Sequence, residues 1–139
     1  MASIFTKIVK GEIPCHKILE DNKYFAFLEI LPLRPGHTLV IPKQEVDYFF
    51  DLDNTAMNEL LAFSRKVAAA LKKATPCKKV AVIVYGLEVP HAHVHLVPVD
   101  GTPGELNFTN PRGTTQEALA DMAKKIKQTL GTHTGDTHL

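Results

Sequence analysis

The densest chemistry in this chain lies in His91-Ala92-His93-Val94-His95, inside the largely apolar stretch 89–99. Polar and apolar residues alternate there at period two, the mark of a half-buried strand. On such a strand His91, His93 and His95 project from one face, while Ala92, Val94 and Leu96 enter the core. Three imidazoles then stand in a row, roughly 7 Å apart at each step of two residues. Histidine titrates near neutrality, so the row suits proton transfer or nucleophilic attack. The same row could ligate zinc in a hydrolase, or hold a phosphate in a module that does not turn over. The bland alternative is a solvated strand face rich in histidine. Three histidines at alternate positions of an apolar strand are hard to reach through composition alone.

The rest of the chain supplies elements to position that row. Ser3 is placed to cap a short helix over 4–10 that stops at Gly11, with Ile4, Phe5, Ile8 and Val9 on its apolar side. Residues 15–20 and 24–29 read as a hairpin around Asp21-Asn22-Lys23, and 37–42 as a third strand of an antiparallel meander. Residues 45–52 read as an irregular connection with one turn of helix. Asp53, Asn54 or Thr55 can cap a long helix whose apolar stripe includes Met57, Leu60, Leu61, Val67 and Leu71, closed by Thr75-Pro76. The β-branched run 79–85 predicts a central strand. Residues 101–113 are loop, and 116–130 a final helix capped by Thr114 or Thr115. The fold class expected is α+β: an antiparallel sheet of about five strands with one long helix and a short N-terminal helix packed against it.

At 139 residues the chain is one domain with room for a core. We read residues 1–130 as that domain and 131–139, small and polar, as a disordered tail. Hydrophobic residues at 45% and charged residues at 22% are ordinary for a globular protein, and a net charge of +1 offers no field for a nucleic-acid polymer. Cys15 and Cys77 form no CxxC pair. With neither a signal peptide at Met1-Ala2-Ser3-Ile4 nor an apolar run of membrane-spanning length, the expected location is cytoplasmic, away from membranes, with reduced thiols. A Cys15-His16 catalytic pair is disfavoured because neighbours on a strand point to opposite faces.

Three stretches together resemble the histidine triad (HIT) family in its Hint-like branch. They are residues 4–14, residues 35–43 with His37, and His-x-His-x-His at 91–95 followed by Leu96 and Val97. Their order and spacing make the resemblance specific over roughly residues 3–98. It implies a hydrolase or transferase acting on the α-phosphate of a purine nucleoside phosphoramidate or dinucleoside polyphosphate. By matching positions, His93 would be the nucleophile, forming a nucleotidyl-histidine intermediate, with its tautomer fixed by the backbone carbonyl of His91. His95 would bond a phosphate oxygen or the departing group, and His37 would approach from the adjacent strand. No metal or other cofactor enters this scheme.

The resemblance also places Ile4, Phe5, Ile8, Phe27, Leu28 and Ile30 around a purine and Glu29 at the ribose hydroxyls, where the family usually has aspartate. Gly86 and Glu88 would border the phosphate. Many bacterial relatives hold a structural zinc with Cys-x-x-Cys where this chain has Ser3-Ile4-Phe5-Thr6, and hydroxyls are poor zinc ligands. Relatives usually carry a longer loop ending Gly-Gln-x-Val before the triad; here residues 84–89 are short, with Leu87 in place of glutamine and Glu88 set to repel an anion. The branch further implies a homodimer in which the sheets of two subunits join.

Overall fold

Five antiparallel strands in the order β1-β2-β3-β5-β4 form one sheet in the computed structural model, which describes residues 2–133. Chain order is α1 (Ile4–Val9), β1 (Lys17–Glu20), β2 (Tyr24–Leu28), β3 (Thr38–Pro42), a 3₁₀ turn (Phe49–Asp51), α2 (Asn54–Ala74), β4 (Lys79–Ile83), β5 (Val94–Val99) and α3 (Gln116–His133). The α+β class, the five-strand sheet, the short first helix and the long α2 agree with the sequence reading. α3 runs three residues past the expected end, so residues 131–133 are helix rather than tail, and 134–139 lie outside the described residues. Among the described residues no helix is long and apolar enough to cross a membrane.

The inner strands β2, β3 and β5 are buried on both faces, and strand alternation decides which side chain meets which layer. Tyr24, Ala26 and Leu28 of β2, Val40 of β3, and Val94 and Leu96 of β5 face α2 and α3. α2 reaches them with Leu60, Phe63, Val67, Ala70, Leu71 and Ala74, which recur at helical spacing along one side. The Asp53 carboxylate starts that helix by accepting from Ala56 N–H at 2.8 Å, and Thr115 does the same for Ala118 N–H of α3 at 3.0 Å. Phe25, Phe27, Leu39 and Ile41 face the other way, under Phe5 of α1. The histidines belong to this second face.

Two expectations need correction. Among the described residues β4 pairs only with β5, so it is an edge strand and not a central one. Its β-branched run is half exposed, with Val82 at 57%. The histidine strand is also shorter than its alternation implies. β5 begins at Val94, so His91 and His93 sit on the lead-in, although His91, His93 and His95 are all buried.

The loop 31–36 is fixed by Arg34, whose guanidinium pairs with Asp100 at 2.8 Å and with Glu105. Gly36 turns the chain into β3 at φ +93°, and a Cβ there would meet Pro98 and Thr75 at 3.2 Å. The next residue is His37.

Candidate active site

His37, His91, His93 and His95, the four histidines buried among the described residues, form two hydrogen-bonded pieces, and backbone and hydroxyl neighbours fix which nitrogens donate. Leu33 N–H donates to His37 Nδ1 at 3.0 Å, so the neutral His37 ring carries its hydrogen on Nε2. That hydrogen is donated to His95 Nδ1 at 2.9 Å. His95 therefore carries its own hydrogen on Nε2, a buried donor with no hydrogen-bond partner among the described residues. It lies 3.9 Å from Glu88 Oε1. An orphan donor of this kind is costly unless something arrives to accept from it.

The second piece runs through His91. Its Nε2–H donates to the Pro42 carbonyl at 2.8 Å, leaving Nδ1 to accept from the Ser3 hydroxyl at 2.7 Å. The Ser3 oxygen caps α1 by accepting from Thr6 N–H at 3.0 Å. Glu45 Oε1 accepts from Ser3 N–H at 2.8 Å and from the Thr6 hydroxyl at 2.6 Å, and these contacts hold its carboxyl below the usual range. Ser3, Thr6, Glu45 and His91 thus satisfy one another where relatives' cysteines were expected to be replaced. Ser3→Ala removes both the cap and the donor to His91. Urea unfolding is expected to show a loss of about 1–2 kcal/mol.

His93 sits between the pieces. Its Nδ1–H donates to the His91 carbonyl at 2.7 Å, and its Nε2 points out of the face, 3.0 Å from Glu88 Oε1. Phe5 meets the His93 ring edge-on at a centroid distance of 5.0 Å, and the His95 ring also lies 5.0 Å away, edge-on. This packing fixes the ring plane, while the carbonyl fixes which nitrogen is free.

Burial sets the charge state of the flanking rings. His37 and His95 are each lowered to about 4, first by desolvation and then by repulsion from neighbouring histidines. Burial also lowers His91, against the opposing bond to Pro42. His37 and His95 are neutral in the folded chain and titrate near 6.5 once unfolded. Between those values the unfolded chain binds more protons, so stability falls as pH drops from about 6.5 to about 4 and gains nothing above it. One such ring is worth on the order of 3 kcal/mol over that window. Urea midpoints at pH 7 and pH 4.5 are expected to show the decline.

The sequence-named binding residues divide. Phe5 and Phe27 stack edge-on at 5.4 Å beside the histidines, with Ile8 packed against them. Ile4 and Ile30 are 48% and 57% exposed and are not among the side chains packed against that cluster. Leu28 is not with them: it points through the sheet into the α2–α3 core. Glu29 is half-buried and its carboxyl is raised by desolvation, with Oε2 accepting from Leu31 N–H at 3.1 Å. Gly86, at φ +79° with open space around it, turns the segment that carries Glu88.

Carboxylates also stand closer to the triad than the sequence suggested. Glu88 with His93 and His95, and Glu29 with His37 and His95, each gather three ligand-capable atoms within 4.8 Å. Every nitrogen of these histidines except His95 Nε2 is already engaged in the hydrogen bonds above. Sequence reasoning missed three contributors. Phe108 covers the His95 ring edge-on at 5.0 Å and is itself stacked on Tyr85. Its only signal was a lone aromatic in a polar loop. Ser3 was seen as a cap but not as the His91 donor, and Leu33 acts through its backbone, which carries no sequence signal.

The HIT domain matches residues 10–102. The adenosine 5′-monophosphoramidase of Schizosaccharomyces pombe is 36% identical over 100 residues, covering 70% of this chain and 74% of that one. An uncharacterised HIT-like protein of Borreliella burgdorferi is 36% identical over 102 residues, covering 68% and 73%. The crystal structure of a HIT-like protein from Bartonella henselae superposes with a TM-score of 0.80 at 32% identity, over 91% of this chain and 95% of that chain.

Proposed function

The chain belongs to the HIT domain family, and from that premise we propose that it hydrolyses or transfers nucleotides by attack of His93 on an α-phosphate. The observation that carries this reading is the pairing of His93 Nε2 with the orphaned His95 Nε2–H on one face of the sheet. An imidazole whose Nδ1–H is held by a carbonyl directs its Nε2 at phosphorus, and once that nitrogen gives up the proton it shares with Glu88 its lone pair attacks in line, giving a nucleotidyl-imidazole that water then cleaves. The His95 donor is set to bond a phosphoryl oxygen, where charge develops in the transition state. Phe5, Phe27 and Ile8, with the exposed Ile4 and Ile30, are our candidates for contact with a purine. Glu29 is our candidate for the ribose hydroxyls, and the relative named adenosine 5′-monophosphoramidase suggests the phosphoramidate class of substrate.

The test is AMP release from adenosine 5′-phosphoramidate and from a diadenosine polyphosphate in the presence of chelator, with a denaturing quench to trap nucleotidyl-protein. Metal-independent release with trapped label on His93 supports the reading. Tight AMP binding without release from either compound favours a nucleotide-binding module, and release abolished by chelator favours a metal-dependent hydrolase. We also propose a homodimer joined through β4, whose outer side is unpaired and exposes Val82 and, just beyond the strand, Val84 and Tyr85. Sedimentation at micromolar concentration decides that point.

A further inference from the structure

We propose that Glu88 is a catalytic residue, the group that takes the proton from His93 Nε2 and delivers it to the departing nitrogen. The inference rests on His93 being the nucleophile and adds the acid–base partner that the attack needs.

His93 Nδ1–H is committed to the His91 carbonyl, so a carboxylate oxygen 3.0 Å from Nε2 requires a second hydrogen between them. The resting site therefore holds one shared proton on the nitrogen that must attack. Glu88 is the group already bonded to it, on a segment that turns at Gly86 and leaves the carboxylate partly exposed to solvent.

The other histidines cannot fill the role. His95 presents an Nε2–H, but its Nδ1 is held by His37, and His37 Nδ1 is held by the Leu33 peptide N–H. That wire ends on an amide, which has no proton to release at neutral pH, so a proton lost from His95 would not be replaced along it. His95 can hydrogen-bond a phosphoryl oxygen without transferring its hydrogen. His91 is bonded at both nitrogens, to Pro42 and Ser3.

The steps balance as follows. The Nε2–H proton moves to Glu88, and the freed lone pair forms the bond from His93 to phosphorus. The bond from phosphorus to the amine breaks, its electron pair stays on that nitrogen, and the Glu88 proton joins it to release a neutral amine. Water oxygen then bonds to phosphorus and its proton goes to Glu88. The phosphorus–Nε2 bond breaks with its pair returning to nitrogen, and the proton is shared again. An amine departs poorly without a proton, whereas a nitrophenolate departs readily as an anion.

Glu88→Gln keeps the size of the side chain but cannot ferry a proton. Wild type, Glu88→Gln and His93→Ala are compared on adenosine 5′-phosphoramidate and on the p-nitrophenyl ester of AMP. The expected result is a fall in kcat/KM, which reports the leaving-group step and not the later hydrolysis common to both substrates, of about 100-fold or more for Glu88→Gln on the phosphoramidate, in line with general acid–base catalysis, and a fall at least tenfold smaller on the ester. Equal losses on both substrates, or none on the phosphoramidate, overturn the proposal. If wild type turns over neither, or if His93→Ala remains active, it is the reading of His93 that fails, and this proposal with it.

Discussion

Replacing His93 with asparagine is expected to abolish turnover while leaving nucleotide binding within a few-fold of wild type. Asparagine keeps a polar group near the His91 carbonyl, where His93 Nδ1 donates at 2.7 Å, but offers no nucleophilic nitrogen to phosphorus. Loss of a covalent nucleophile typically costs on the order of 10⁴-fold or more in kcat, because binding and charge stabilisation remain without the bond-forming step. The aromatic cluster proposed to meet the purine does not depend on that ring for its packing: Phe5 and Phe27 hold each other edge-on and pack with Phe25, Leu39 and Ile41. AMP titration by calorimetry and single-turnover kinetics on the same preparation separate the two effects. Turnover within tenfold of wild type would move the nucleophile elsewhere.

The largest expected loss of stability comes from Leu96→Ala. Leu96 is completely buried, lies in register with Thr38 of β3 and Val82 of β4, and projects into the core beneath α2. Removing its branched end deletes transfer free energy and leaves a void that a sheet pinned on both sides cannot close. The cost is about 2–5 kcal/mol, a large share of the roughly 5–15 kcal/mol that holds a domain together. The urea midpoint is expected to fall with little change in slope. Activity per folded molecule is expected to hold within a few-fold, because Leu96 and His95 point to opposite faces. A matching collapse of both quantities would mean that the two faces are mechanically coupled.

Local chemistry made much of this legible in the sequence. Ser3, Asp53 and Thr115 announced their helices through caps, and the alternation around 91–95 placed Ala92, Val94 and Leu96 in the core and the histidines on the opposite face. What escaped was decided by long-range pairing. The run 79–85 has the β-branched composition of a central strand, yet whether a strand lies inside a sheet depends on which neighbours flank it, and β4 has one. Leu28 is a different case. Period two already separates it from Phe27, so the strand pattern argued against putting both in one slot, and the resemblance overrode it. Phe108 could not be read because it reaches His95 from a loop thirteen residues further along the chain, where no periodicity operates.

α1 has six residues, too few to persist alone in water. Its first turn survives because Ser3 and Thr6 are moored to Glu45 and His91. Opening of that turn and loss of the hydrogen bond to His91 Nδ1 are therefore one event, observable without substrate. Hydrogen exchange at the Thr6 amide, bonded to the Ser3 hydroxyl that also holds His91, becomes a gauge of how often the histidine array comes unmoored in the resting protein.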